Sequence, residues 1–142
     1  GVARAILVAL ENLKFKNVVL SNRTAQRGRK TAKEFHIEFI QWSKRTDTGA
    51  AVIINATPIG MSPNSNSLPI SQKSIIHAQL VIDVIVKPPN TKFIQVANIN
   101  KIPSIDGTKI ALNQAYEQFK LYTGKEAPKD VMQKASKEIF MG

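Results

Sequence analysis

The chain contains no cysteine. Disulfides, thiolate metal sites, iron–sulfur clusters and thiol catalysis are therefore excluded within it. Acidic side chains are scarce, 10 Asp+Glu against 20 Lys+Arg, leaving a net charge of +10 at pH 7. Aromatics make up 6% of the residues, with a single tryptophan. The two histidines, His36 and His77, have no partner histidine at ligand spacing. No metal site is expected, and His36 reads as a structural residue between a helix and a strand. No apolar run approaches the roughly 20 residues of a membrane span. The apolar opening lacks a basic leader region and a cleavage site, so a soluble cytoplasmic domain is expected. Repeats and low-complexity segments are missing too. What remains is 142 residues, 43% of them apolar, enough for one domain with a core.

The positive charge is uneven. Residues 1–50 hold a tight cluster of Arg23, Arg27, Arg29, Lys30 and Lys33. The C-terminal 40 residues mix both signs and read as solvated helix faces. A basic cluster suits an anionic partner, although a solvated helix face has the same composition. Single-stranded nucleic acid calls for aromatics among the cations, and none lies between Val18 and Lys33. A discrete phosphate is favoured over a nucleic-acid backbone.

Periodicity gives helices over residues 3–13, 24–35, 110–122 and 129–140, with shorter ones over 70–76 and 91–97. Thr24 is placed to cap the second helix, and Gly124 to close the fifth. Strands are expected over 17–21, 37–40, 51–55, 80–86 and 102–105. Residues 57–69, rich in Pro, Ser, Asn and Gly, form a loop. Strands that are apolar throughout and alternate with helices indicate an α/β fold with a parallel sheet. Ligands of such sheets bind at the carboxyl ends of the strands.

Those ends carry the informative residues. Gly1 opens a helix, and Gly1, Val2 and Ala3 would offer backbone amides to a pyrophosphate. About 20 residues after the glycine turn, a dinucleotide fold places the residue that reads the adenosine ribose. NAD enzymes need a carboxylate there. This chain has Asn22 and Arg23, with Arg27 one helical turn on. A carboxylate would repel a 2′-phosphate, whereas guanidinium groups clamp one through bidentate bonds. The pattern predicts NADP rather than NAD. Gly60 and Pro58 bend the loop after the third strand, and Gly60 lets backbone lie against a flat ligand; a plain turn has the same residues.

Taken in order, these segments resemble the C-terminal NADP-binding domain of the shikimate dehydrogenase family. Gly1-Val-Ala-Arg-Ala-Ile6 resembles the stretch from the last glycine of the family's Gly-Ala-Gly-Gly turn onward. Asn22-Arg23-Thr24 with Arg27 is similar to the Asn-Arg-Thr signature and its second arginine. Asn55-Ala-Thr-Pro-Ile-Gly-Met61 is similar to the Asn-Ala-Thr-Pro-x-Gly-Met loop. Asp83, Pro88 and Thr91 follow its Asp-x-x-Tyr-x-Pro-x-x-Thr stretch. Asp106-Gly107, Gln114-Ala115, Phe119, Tyr122, Gly124 and Pro128 follow its closing segment.

The resemblance implies a Rossmann-type domain, with a doubly wound parallel sheet, and a set of roles. Asn22, Arg23, Thr24 and Arg27 would hold the 2′-phosphate. Asn55, Ala56, Thr57 and Pro58 would line the cofactor towards its nicotinamide end. Val84 would flank the nicotinamide, and the Gly107 carbonyl would meet its amide. Gln114 would reach substrate, and Val86 takes the place of the family's substrate-contacting tyrosine. The intact enzyme would reduce 3-dehydroshikimate to shikimate with NADPH.

The family's catalytic lysine and aspartate belong to an N-terminal substrate domain, so no catalytic acid or base is assigned here. Asp83 is expected to tie down a turn, and Lys87 to face solvent. Val86 and Ile110-Ala111, where the family has Tyr and Met-Leu, point to a paralogue or an altered, quinate-like substrate as the alternative. The family's first strand and leading glycines would precede Gly1. An unpaired sheet edge and association through it are therefore expected. A non-catalytic NADP-binding module and a basic nucleic-acid-binding domain are the rival readings.

Overall fold

Five short strands, all paired in parallel, alternate with helices along the chain. The structure is a computed structural model and describes residues 1–141. It contains two compact units, Gly1–Thr48 and Gly49–Gly142.

The first unit runs α1 (Val2–Asn12), β1 (Val19–Asn22), α2 (Ala25–Glu34), β2 (Glu38–Gln41) and a 3₁₀ turn at Trp42–Asp47. Strand β1 pairs with β2 from Val19 opposite Glu38 to Asn22 opposite Gln41. Leu7 of α1 and Ala32 of α2 are its buried apolar residues. An Arg4–Glu34 ion pair links the two helices, with the Arg4 guanidinium 5.7 Å from the centre of the Phe35 ring. His36 follows α2 with a positive φ, at the junction where a structural role was expected. The 3₁₀ turn has no apolar period, and the sequence gives no sign of it; the Arg45 guanidinium lies 4.0 Å over the Trp42 ring there.

The second unit runs β3 (Val52–Asn55), α3 (Gln72–Ile76), β4 (Leu80–Asp83), α4 (Lys92–Ile99), β5 (Ser104–Ile105), α5 (Gly107–Thr123) and α6 (Lys129–Met141). Its strands lie in the order β3-β4-β5. The core gathers Ile70, Ile75, Ala78, Val81, Phe93, Ile94, Val96 and Ala97, with Ile53, Leu68 and Ile102 packed against it. At the usual rate of ~1.5–3 kcal/mol for each fully buried large apolar side chain, this cluster is the main stabilising feature of the unit.

Most element boundaries shift by one to three residues from the sequence reading, and two of the shifts have a visible reason. Strand β4 stops at Asp83 because that carboxylate turns back onto the Ile85 amide, 3.2 Å away. Helix α5 begins at Gly107, three residues early, because Asp106 caps it: Oδ1 accepts from Thr108 N at 2.9 Å and Lys109 N at 3.0 Å. Helix α4 extends to Ile99, beyond the expected end at residue 97. Gly124 closes α5 in the left-handed conformation, as expected. Among the described residues, no helix is long and apolar enough to cross a membrane.

Candidate functional site

In the first unit the candidates gather where β1 ends and α2 begins. Asn22 is half-buried, and its Oδ1 accepts from the Thr24 amide at 3.0 Å. This Asx-turn steers the chain from strand to helix. Thr24 occupies the N-cap position, but its side chain makes no capping bond. The sequence reading assigned that bond to Thr24; instead the Asn22 side chain satisfies the turn, and the first amides of α2 stay without a side-chain cap.

Arg23 and Arg27 are exposed. The ion pairs of the described residues use Arg4, Lys109 and Lys120, and neither of these two. No acidic residue lies in the first turn of α2. Arg29 differs, its guanidinium lying 5.1 Å from the centre of the Phe39 ring. Beside Asn22 in β1, Ser21 Oγ is buried without a hydrogen-bond partner. Gly1 is the N-cap of α1, Val2 and Ala3 form its first turn, and space is open around the Gly1 α-carbon.

In the second unit the candidates follow β3 and β4 and open α5. Asn55 and Asp83 are the last residues of adjacent strands and partners in register. Both are buried, 2% and 1% exposed. The Asn55 Nδ2 donates to Asp83 Oδ1 and to the Ile59 carbonyl, each at 3.1 Å. The Asn55 Oδ1 accepts from the Thr57 amide at 3.1 Å and the Thr57 hydroxyl at 2.7 Å. Thr57 Oγ1 accepts in turn from Ile59 N at 3.2 Å. The Asn55 side chain is thus fully engaged by protein and shapes the loop that follows it. Ala56 and Thr57 are half-buried in that loop, and Pro58 is exposed. Gly60 has φ +98°, a backbone conformation that side-chain-bearing residues rarely adopt.

Asp83 ties down its turn, as expected, and does more. Its Oδ2 accepts from Thr91 Oγ1 at 2.6 Å. Thr91, fully buried, also accepts from Ile94 N at 3.3 Å and so caps α4. Burial pushes the Asp83 carboxyl above its ordinary value of 3.8, bonds from Thr91, Ile85 and Asn55 pull it back, and the nearby Asp106 charge raises it. Three donors around one carboxyl suit the ionised form. Thr91 was noted only as part of the stretch shared with the family and not as a partner of Asp83; the signal is its spacing of eight residues from that carboxylate.

Val84 and Gly107 are brought together. A Cβ built on Gly107 would lie 2.7 Å from the Val84 carbonyl oxygen and closer still to the Ile85 carbonyl. Only glycine admits this approach. The Val84 amide donates to the Asn55 carbonyl at 3.2 Å, so the ends of β3 and β4 and the start of α5 meet at one place. Val86 is half-buried beyond the end of β4, and Lys87 is exposed as expected. Gln114 is exposed on α5, two turns from Gly107. Among the described residues, no three His, Asp or Glu side chains cluster as metal ligands would.

Comparison with known proteins identifies relatives in sequence and in fold. The family model "Shikimate 5'-dehydrogenase C-terminal domain" matches residues 107–135. The shikimate dehydrogenase (NADP(+)) of Clostridium perfringens strain 13 is 31% identical over 140 residues, covering 98% of this chain and 52% of that protein. The ligand-free 5-ketofructose reductase of Gluconobacter sp. strain CHM43 superposes with a TM-score of 0.84 at 26% identity, over 99% of this chain and 53% of that one. A shikimate dehydrogenase solved with NADP+ gives 0.79 at 29% identity, over 94% and 50%. The chain spans about half the length of the curated relatives it matches. Its fold is the parallel α/β, Rossmann-like fold of these proteins. By sequence and by fold, the chain is similar to the C-terminal domain of shikimate dehydrogenases.

Proposed function

We propose that this chain binds NADP(H) and serves as the cofactor-binding domain of an NADP-dependent, shikimate-dehydrogenase-like oxidoreductase. The observation that carries this is the pair of exposed, unpaired arginines, Arg23 and Arg27, beside Asn22 at the end of β1. The position that would carry a carboxylate in an NAD enzyme holds an amide and two cations.

The residues present fit the cofactor on two structural grounds. Ser21 Oγ is buried next to Asn22 with a hydrogen-bonding valence to spare. Gly107 lets the start of α5 close directly onto the Val84 and Ile85 carbonyls, which gathers the ends of β3 and β4 and the start of α5 where the nicotinamide end would lie. Asn22, Arg23, Thr24 and Arg27 would hold the adenosine 2′-phosphate. The α1 N-terminus at Gly1, Val2 and Ala3 would face the pyrophosphate. Ala56, Thr57, Pro58, Val84 and Gly107 would line the nicotinamide end, with Asn55 acting through the loop it holds. Bound NADPH would supply the hydride that reduces the carbonyl of a 3-dehydroshikimate-type substrate in the intact enzyme. This chain's residues would bind, orient and select the cofactor. No residue here is given a proton-transfer role: Asp83 is fully bonded within the protein and Lys87 is exposed.

A second reading concerns the substrate. Val86 offers no hydroxyl where the family resemblance places a tyrosine. A lost hydrogen bond to substrate is worth ~0.5–1.5 kcal/mol net. An altered polyol acid of the quinate type is the alternative that Val86 favours.

Calorimetric titration with NADPH and NADH tests the proposal, with Arg23→Ala alongside. Tighter NADPH binding that Arg23→Ala abolishes supports it. Equal affinity for both, or no binding of either, overturns it. Binding of duplex DNA with steep salt dependence and no NADPH competition would favour the nucleic-acid alternative instead.

A further inference from the structure

We propose that Asp83 is a positioning residue: through Asn55, Thr91 and the Ile85 amide it fixes the backbone against which the nicotinamide end of the cofactor lies. The inference rests on the NADP(H) reading above and goes beyond it, because Asp83 itself is 1% exposed and cannot touch a ligand.

One carboxylate ties together the end of β3, the peptide just beyond β4 and the start of α4. Oδ1 accepts from Asn55 Nδ2 at 3.1 Å, and Asn55 holds the loop through Thr57 and Ile59. The same oxygen accepts from Ile85 N at 3.2 Å and so orients the peptide after Val84. Oδ2 accepts from Thr91 Oγ1 at 2.6 Å, at the start of α4. The backbone thus held abuts Gly107 so closely that a Cβ there would run into the Ile85 carbonyl oxygen. Rigid backbone contacts to a ligand need such support, since small displacements forfeit most of the interaction. A protein needing only a turn at this point would have the Asx bond to Ile85 and nothing more. Buried polar groups that are all satisfied act as a unit, and removing one member loosens the rest.

The test separates the two ends of the cofactor. Binding of NADPH and of adenosine 2′,5′-bisphosphate, which lacks the nicotinamide half, is measured for the wild type, Thr91→Val, Thr91→Ser and Asp83→Asn. Circular dichroism and thermal melting establish which variants are folded. Fluorescence of the reduced nicotinamide reports its surroundings directly. Thr91→Val and Asp83→Asn are expected to weaken NADPH about tenfold, the equivalent of ~1.4 kcal/mol, and to lose the fluorescence change on binding. Affinity for adenosine 2′,5′-bisphosphate should stay at the wild-type value in both, and Thr91→Ser should restore NADPH affinity and fluorescence. Folded variants that bind NADPH as the wild type does, with the same fluorescence, overturn the positioning role and leave the NADP(H) reading standing. Equal weakening of both ligands also overturns it, since a general loss of structure explains that result. A wild type that binds neither ligand overturns both proposals.

Discussion

Replacing Thr91 by valine tests the energetic reasoning independently of any ligand. The two side chains have nearly the same shape, so no cavity opens at this fully buried position. What is lost is one hydroxyl with two duties. It donates to Asp83 Oδ2 at 2.6 Å and accepts from Ile94 N at 3.3 Å. A hydrogen bond to a charged group contributes ~1.5–3 kcal/mol. Loss of an N-cap costs ~0.5–2 kcal/mol. Because one group serves both, the contributions do not simply add, and a loss of ~2–4 kcal/mol is expected. Against a total stability of ~5–15 kcal/mol, that is a large effect for a single oxygen atom.

The size of the loss should depend on pH, with a definite sign. Burial raises the Asp83 carboxyl above 3.8 in the folded chain, and the Thr91 bond lowers it. Without that bond, the folded-state value rises further above the unfolded one. A carboxyl raised in this way destabilises the fold when ionised, and the cost is relieved as pH falls through its folded-state value towards 3.8. The gap between wild type and Thr91→Val is therefore widest near neutral pH and shrinks on acidification. The capping loss remains at every pH. Urea unfolding followed by circular dichroism gives the gap, and hydrogen exchange at Ile85 and Ile94 locates it. A gap that stays constant from about pH 7 to about pH 4 would refute the charge-assisted bond. So would faster exchange that spares both amides.

Other substitutions probe the remaining features. Gly107→Ala drives a methyl group into the Val84 and Ile85 carbonyls, and overpacking against backbone should cost ~1–3 kcal/mol in unfolding. Arg27→Ala should weaken NADPH about 10-fold or more and leave NADH nearly unchanged in calorimetry, since one charge-assisted contact to phosphate is removed. Asp106→Ala removes the acceptor for Thr108 N and Lys109 N at the start of α5 and should lower stability by ~1 kcal/mol in urea. Arg4→Ala breaks an exposed ion pair to Glu34 and should change unfolding by under about 1 kcal/mol, less still at high salt.

The two units were legible in the sequence to different degrees. Helices α1, α2, α5 and α6 carried an apolar period long enough to read, and their ends were missed by one to three residues. Strands β3 and β4 stood out as β-branched runs, but the end of β4 did not. It is set by a side-chain bond within Asp83-Val84-Ile85, which leaves no trace in hydrophobic pattern. Thr24 looked like a cap because residue type and position fit; its side chain makes no such bond, and the Asx-turn of Asn22 takes the amide of Thr24 itself. The 3₁₀ turn at Trp42–Asp47 is held by one arginine over one indole, a contact without periodicity.

The same contrast separates the candidate site into a visible part and a hidden one. Arg23 and Arg27 can be read from sequence because their charge is unsatisfied within the protein: a cluster of cations without acids stays conspicuous whatever the fold. Asn55, Asp83 and Thr91 are the opposite case. The motif resemblance marks all three and Asp83 was expected to tie down a turn, but their bonds to one another leave no trace in composition. Their association depends on register, Asn55 opposite Asp83 at the last rung of a parallel pair, and register is a property of the sheet. Parallel pairing aligns strand ends 28 residues apart in the chain, and it delivers an amide to a carboxylate where both would otherwise be costly to bury. The hidden network therefore lies at the carboxyl ends of β3 and β4 for the reason that parallel sheets bind ligands there: chain segments converge and backbone must be held in place. Selectivity for the cofactor would rest on groups the protein leaves unpaired, and its placement on groups the protein pairs completely.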